Sequence, residues 1–331
     1  MTTEVGDGSL SLSPEDAFAV LGNDTRIKII KTLWELYDPD DPANVVKFSN
    51  LYDSDGAVPF SELYDRVGYG DTGNFNYHLG KLDHFVRRTD GGYELTQAGF
   101  EIAQAVVAGT VRERPDIDTV DIDDACPRCG ASIISAYENH HLTVSCSQCP
   151  GIWQDATGDD GVLFTLPLPP IGLWERTPEQ ALHATLVFNL TRIRSFIGGV
   201  CPDCSSAVEQ SFDVCENHDL CDGGGCPECH RQHAIEVSEV CRQCKAVARG
   251  PLTIAILAHP AVTAFYYDHG IVHQFASWET FQRAQRVEEE ILETAPLRVR
   301  ITVPCEKARL RLTLDETLDV VDVVQESSTT D

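Results

Sequence analysis

Twelve of the thirteen cysteines lie between residues 126 and 244, and most of them come as CxxC pairs. Two thiols with two residues between them converge on one point only if the intervening backbone makes a tight knuckle. Two such knuckles then supply four soft ligands for a tetrahedron. Ahead of residue 126 there is no cysteine at all. A cysteine-free head and a cysteine-stapled body are therefore separate folding problems. Where thiols stay reduced, such pairs mean metal or redox chemistry before they mean structural disulfides.

Composition bears on the compartment. The 331 residues carry 52 acidic side chains against 25 basic ones, of which only 6 are lysine, for a net charge of -27. Yet 42% are hydrophobic, more than a disordered acidic chain holds, so cores can be buried. Abundant Asp with scarce Lys resembles the balance of proteins from halophile cytoplasm, where molar salt screens carboxylate repulsion to ~3 Å. An ordinary acidic protein of low-salt cytosol is the other reading. No apolar run approaches the ~18–20 residues that span a bilayer. The start, MTTEVGDGSL, is acidic rather than a basic signal start. The expectation is a cytoplasmic protein of two or three domains, with no membrane span.

The head reads as a series of short helices. Ser13, Pro14, Glu15 and Asp16 make a helix start that Gly22 ends, and Asn23 or Asp24 caps RIKIIKTLWELY. The acidic stretch 38–57 reads as an inserted loop, with a short strand at Val45 to Phe48. Phe60, Leu63, Tyr64 and Val67 then make an amphipathic helix, Gly68 to Gly70 a turn, and Asp71 or Thr72 the cap of a second helix. On it Phe75, Leu79 and Leu82 face inward, while Gly73, Asn74, Tyr77, Gly80, Lys81 and His84 face out. VRRTDGGYELT predicts a hairpin around Asp90-Gly91-Gly92, and Thr96 to Val107 a closing helix.

Together AFAVLGNDTRIKIIKTLW, FSELYDRVG, GNFNYHLGKL and DGGYELTQAG resemble the winged helix-turn-helix of ArsR-type regulators, in the version common in halophilic archaea, over residues 12–110. The resemblance implies sequence-specific binding of double-stranded DNA, as a homodimer, with the second helix in the major groove. The residues agree in part. Asn74 and Tyr77 can bond base edges or phosphates, and Lys81, Arg87 and Arg88 can meet phosphates. But residues 60–95 hold four basic against six acidic side chains, so there is no general basic patch. Such a reader leans on shape and hydrogen bonds rather than on counterion release. The competing reading makes Asn74, Tyr77 and Lys81 a solvated face and the head a protein-binding module. ArsR-type metal sensing lacks its ligands, since Asp83 and His84 are too weak a pair.

In the body, Cys126, Cys129, Cys146 and Cys149 bracket sixteen residues that alternate as a hairpin around Glu138-Asn139-His140-His141, a zinc-ribbon pattern. His140 and His141, at the tip, are expected to be solvated. A reactive dithiol is the alternative. Four further pairs follow: Cys201/Cys204, Cys215/His218, Cys226/Cys229 and Cys241/Cys244, with gaps of ten, seven and eleven residues. They could be joined sequentially, cross-braced as in RING-type domains, or nested. SSAVEQSFDV and HRQHAIEVSEV read as strands of matching length, and ten extended residues reach ~33 Å. That favours nesting: one Zn2+ on Cys201, Cys204, Cys241 and Cys244, another on Cys215, His218, Cys226 and Cys229, for three ions in all. Cys221 could replace His218, with His230 and His233 as spares. Without such staples this segment has too few large apolar side chains to fold.

TPEQALHATLVFNLTRIRSF predicts one helix whose apolar surface includes Leu182, Leu186, Phe188, Leu190 and Ile193, as core or a dimer seam. After Gly250 a helical stretch runs to about Asp268, WETFQRAQRVEEEILET reads as a second helix, and LRVRITV, ARLRLTL and DVVDVV as three strands. His259, His269 and His273 receive no role, and Cys305 a structural one. The expected fold is α+β: a winged helix-turn-helix at 12–112, a zinc ribbon at 126–151, a helical connector at 152–200, a double zinc β module at 201–245 and a small α/β region at 246–325 for dimerisation or an effector. There is no GxSxG, phosphate loop or HExxH, so the expected function is a transcription regulator and not an enzyme. The alternatives are a transcription-machinery module, since winged helix followed by ribbon resembles the archaeal initiation factor related to the alpha subunit of TFIIE, and a thiol redox sensor.

Overall fold

A computed structural model describes residues 13–37, 57–109, 116–152, 161–220, 226–257, 259–271, 277–305 and 308–327. They are α+β and divide into two compact units, 1–112 and 113–331. The acidic insert up to residue 56, its strand at Val45 to Phe48, Cys221 and His273 lie outside the described residues.

In the first unit α1 (Pro14–Leu21) begins where the Ser13 side chain accepts the Asp16 N–H, and α2 (Asp24–Leu36) where Asn23 accepts those of Thr25 and Arg26. Asn23 rather than Asp24 is thus the cap. The third helix, α3 (Phe60–Val67), ends at Gly68 with φ 66°, and α4 (Thr72–Gly80) starts under Asp71, which accepts the Gly73 N–H. Strands β1 (Val86–Thr89) and β2 (Gly92–Leu95) form an antiparallel hairpin, and α5 (Gln97–Val107) follows under a Thr96 cap. The hairpin packs its turn against Val58, which bridges to Tyr93. A Cβ on Gly92, at φ 142°, would stand 2.1 Å from the Val58 carbonyl oxygen, so only glycine closes this contact.

Ile29, Ile30, Leu63, Phe75 and Leu82 form the centre of this unit's core, each side chain worth about 1.5–3 kcal/mol in burial. Phe75 sits edge-on to both Phe60 and Tyr64. The second helix is shorter than its apolar spacing predicts. It stops at Gly80, a poor helix former, with Lys81 as C-cap, and Leu82 is buried from the turn beyond. His84, expected on the outer helix face, therefore follows the helix and is half-buried.

The second unit opens with β3 (Ile117–Ala125), β4 (Ser132–Glu138), β5 (His141–Cys146) and β6 (Val162–Pro167), an antiparallel sheet in chain order. The predicted ribbon hairpin is its middle, and the predicted helical connector contributes β6. The reason is burial: β4 and β5 turn Ile133, Tyr137, Leu142 and Val144 inward, a face two strands cannot shelter. A 3-10 turn (Pro170–Leu173) leads to α6 (Pro178–Ile197), opened by a Thr177/Gln180 capping box. It lays Leu182, Leu186 and Leu190 on the sheet. Phe188, expected on the same surface, is instead exposed, with the Arg192 guanidinium 5.4 Å from its ring.

A second sheet joins β7 (Val208–Val214), β8 (Ile235–Cys241) and β9 (Val247–Pro251), with β8 central. The helical stretch after Gly250 is two helices, α7 (Leu252–Ile256) and α8 (Pro260–Asp268), because Pro260 cannot continue a helix and His259 Nδ1 caps the new one by accepting the Ala261 N–H. His259 thereby has a structural role.

The largest correction falls on WETFQRAQRVEEEILET. Helix α9 (Trp278–Ala284) stops early, and β10 (Glu288–Thr294) follows. Three adjacent glutamates repel one another, and a continued helix would bring only Arg286 to them, at i-3 of Glu289 and i-4 of Glu290. In the strand Glu290 pairs with Arg300, Glu288 with Arg309, and Glu289 turns inward to accept the N–H groups of Ala234 and Ile235. With β11 (Leu297–Cys305), β12 (Ala308–Leu314) and β13 (Val320–Ser327) it makes a four-stranded antiparallel meander, so this region is α+β rather than α/β. Its core joins β8, α7 and α8, while Trp278 and Phe281 of α9 belong to the first sheet's core.

Candidate metal centres and nucleic-acid interface

Three groups of side chains bring their ligand atoms within 4.8 Å of one another: Cys126, Cys129, Cys146 and Cys149; Cys201, Cys204, Cys241 and Cys244; and Cys215, His218, Cys226 and Cys229. Each could hold a metal ion. All twelve sequence-predicted ligands are present, in the nested pairing. The β7–β8 register explains it: Val208 lies opposite Cys241 and Val214 opposite Ile235, so the outer pairs meet at one end and the inner pairs at the other.

Local backbone makes the knuckles. In four of them, those starting at Cys126, Cys201, Cys226 and Cys241, the first cysteine's N–H donates to the carbonyl five residues on, at 2.8–2.9 Å. Its own carbonyl accepts the N–H four residues on, at 2.8–3.0 Å. The residue after the second cysteine is left-handed each time: Gly130 at φ 76°, Ser205 at 58°, His230 at 57° and Lys245 at 66°. His230 is thus a knuckle residue rather than a spare ligand. The knuckle at Cys146 is built differently, with its N–H donating to the Gly161 carbonyl.

The donor spacing discriminates between chemistries. Cys126 and Cys149 sulfurs are 3.7 Å apart, and Cys129 and Cys146 are 3.5 Å apart. Cys201–Cys244 and Cys204–Cys241 are both 3.5 Å, and Cys215–Cys226 is 3.9 Å. A disulfide would need ~2.05 Å, whereas Zn–S bonds of ~2.3 Å in a tetrahedron put sulfurs ~3.8 Å apart. The groups fit a tetrahedral zinc-sized ion. In the third group His218 Nδ1 lies 3.4 Å from Cys229 Sγ, and its Nε2 faces the Gln232 carbonyl at 3.3 Å. That carbonyl fixes the proton on Nε2 and leaves Nδ1 free to ligate.

Electrostatics favour the thiolate at one cysteine of each group and oppose it at others, since burial and the neighbouring thiols push Cys149 and Cys215 up to about 12. The Cys244 N–H draws Cys241 down to about 6. Burial resists ionisation of Cys146, but N–H groups of Cys149 and Gln148, each 3.3 Å from its sulfur, bring it to about 7. Cys226 reaches about 7 in the same way, burial opposing and the Cys229 N–H leading the lowering.

His233, the other predicted spare, stands apart from the ligand groups. It is buried, its Nδ1 3.8 Å from Glu289 Oε1 and its Nε2 3.4 Å from Gln285 Oε1.

In the first unit Asn74, Tyr77, Lys81 and Arg88 are exposed. They are less free than their spacing suggests. Asn74 donates to the Tyr69 hydroxyl at 2.8 Å, the Lys81 ammonium lies 5.7 Å from the Tyr77 ring centre, and Arg87 is half-buried against Glu94 across the hairpin. Tyr69 and His78 were not among the predicted residues, yet they hold this face. The Tyr69 hydroxyl lies 3.4 Å from Nε2 of the buried His78 while it accepts from Asn74. Among the described residues no helix is long and apolar enough to cross a membrane.

Two family profiles match the chain: a domain of unknown function, DUF7351, over residues 123–320, and another, DUF7347, over residues 14–106. No curated protein and no solved structure matches it significantly.

Proposed function

We propose that this chain, which belongs to the DUF7351 family, is a DNA-binding transcription regulator of the cytoplasm, acting as a homodimer, with a winged helix-turn-helix head and a body stapled by three Zn2+ ions. The observation that carries the reading is the succession α3, left-handed Gly68, Asp71-capped α4 and the β1–β2 hairpin. One face of α4 is committed to the core through Phe75 and Leu79, and the other offers Asn74, Tyr77 and Lys81. A helix set out in this way suits the major groove, and a hairpin carrying Arg88 suits the adjacent backbone.

The residues divide the work. Asn74 and Tyr77 read base edges or phosphates, Lys81 and Arg88 meet phosphates, and Arg87, tied to Glu94, mainly holds the wing. Tyr69 positions Asn74 by accepting its amide proton. Zinc supplies structure, drawing each ligand set into a fixed tetrahedron, and no catalytic step is assigned. Genome-wide mapping of DNA occupancy in the native organism tests the proposal. Discrete promoter peaks that vanish in an Asn74→Ala/Tyr77→Ala variant are expected, and occupancy indistinguishable from background would overturn it.

A further inference from the structure

The second unit contains a cavity of about 170 Å³ that neither the metal centres nor the head accounts for. Its apolar wall comes from both stapled sheets and the helices on them: Phe164 of β6, Leu186, Leu190 and Ile193 of α6, Ile254 of α7 and Phe281 of α9. The exposed Arg249 also lines it, so it reaches the surface. Protein interiors pack with few voids larger than a water molecule. A cavity near this size, lined by such side chains, admits a benzene-sized body.

One wall residue breaks the pattern. The inward positions of β8 are Ile235, Val237, Glu239 and Cys241, and the acid among them is only 3% exposed. Its Oε1 accepts from Gln210 Nε2 at 2.9 Å, while its Oε2 is buried with no hydrogen-bond partner. An unsatisfied buried acceptor costs ~1–3 kcal/mol and calls for a donor. Nothing in the metal knuckles or the sheet ladder uses this oxygen.

We propose that the cavity is a binding site for a small aryl- or alkylammonium compound, its apolar body among Phe164, Leu186 and Leu190 and its ammonium on Glu239 Oε2. A charge-assisted hydrogen bond is stronger than a neutral one. A carboxylate of the same shape would instead set two acids face to face at Glu239.

The test uses the zinc-loaded full chain in molar potassium chloride at pH 7, with benzylamine, benzyl alcohol and benzoate titrated by calorimetry. No DNA is present, so the result is independent of the DNA-binding proposal. Benzylamine is expected to bind at least tenfold more tightly than benzoate, with benzyl alcohol between them. Glu239→Gln should erase that preference. Ile193→Trp, which fills the cavity from a half-buried position on α6, should lose binding of all three. Equal affinity for benzylamine and benzoate, no binding of any probe, or a folded Glu239→Gln chain that binds benzylamine unchanged overturns the proposal. If Glu239→Gln does not fold, the benzylamine–benzoate ratio in the parent chain and its loss in Ile193→Trp decide the matter alone.

Discussion

His233 and Glu289 face one another inside the second unit, Nδ1 to Oε1 at 3.8 Å, and burial drives both toward their neutral forms. Burial takes the histidine down to about 4 and the carboxyl up to about 7. The two shifts act oppositely on stability. The raised carboxyl favours the folded state at low pH and loses that advantage as pH rises from about 4.5 to about 7. The depressed histidine loses stability as pH falls from about 6.5 to about 4. In the parent chain they nearly cancel.

Glu289→Gln should break that cancellation. The amide oxygen can still accept the Ala234 and Ile235 N–H groups that Glu289 Oε2 holds. The variant should therefore gain stability over the parent as pH rises through this window, reaching about 3 kcal/mol above pH 7. Denaturant unfolding of both chains between pH 5 and 8, at fixed zinc and salt, measures the difference. A pH-independent difference would mean the carboxyl titrates normally.

How much of this was legible beforehand depended on whether a pattern was local. The nested ligand sets followed from two strands of equal length between CxxC pairs, which the Val208–Cys241 register reproduces. The Ser13 cap could be read, and Asp71 named beside Thr72, because each acts within three residues of itself, whereas Thr96, taken as the first residue of its helix, is the cap before it. Strand β10 could not, since Glu288 and Glu290 are matched by arginines on β11 and β12 that only the meander brings near. Strands β3 and β6 were hidden for a related reason: each pairs the open edge of a neighbouring strand of the sheet. Glu239 did leave a signal, an acid at an apolar position in IEVSEVC, but strand alternation alone does not say what fills the space opposite.

Metal removal should act unequally on the two unlike sites. Cys201 and Cys241, no more exposed than Cys226, close the end of β7–β8 from which the chain enters β9. The Cys215/His218 group instead closes the tip. Cys241→Ser and Cys226→Ser should each cost one zinc ion by metal analysis. The former should lower the melting temperature more, because its knuckle leads directly into β9 and α7. Equal zinc content in parent and variants would remove the assigned ligand sets.

Salt should affect DNA binding weakly. Residues 60–95 hold four basic and six acidic side chains, so few counterions leave the duplex on binding. Affinity for a native promoter should persist at molar potassium chloride, with a shallower log–log slope than a basic regulator shows. A steep loss with the fold intact, followed by circular dichroism, would argue against shape-led reading.

The outer face of α4 gives the sharpest separation of roles. Tyr77 is 57% exposed and opposite the Phe75 and Leu79 core, so Tyr77→Ala should leave folding nearly unchanged. Asn74→Ala frees the Tyr69 hydroxyl at the surface and should do little more. If either side chain bonds a base edge, its loss should cost ~1–3 kcal/mol of discrimination at particular base pairs. Arg88→Ala should weaken binding evenly across sequences, as a phosphate contact does. Arg87→Ala should do so too, but with a loss of stability, because it removes the cationic partner across the hairpin from the buried Glu94 carboxylate. Affinities for the promoter and for a scrambled duplex at one salt concentration, with melting curves for each variant, distinguish these outcomes. Unchanged affinity for both duplexes in the Asn74/Tyr77 double variant would falsify the DNA-reading role of α4 and favour a protein-binding head.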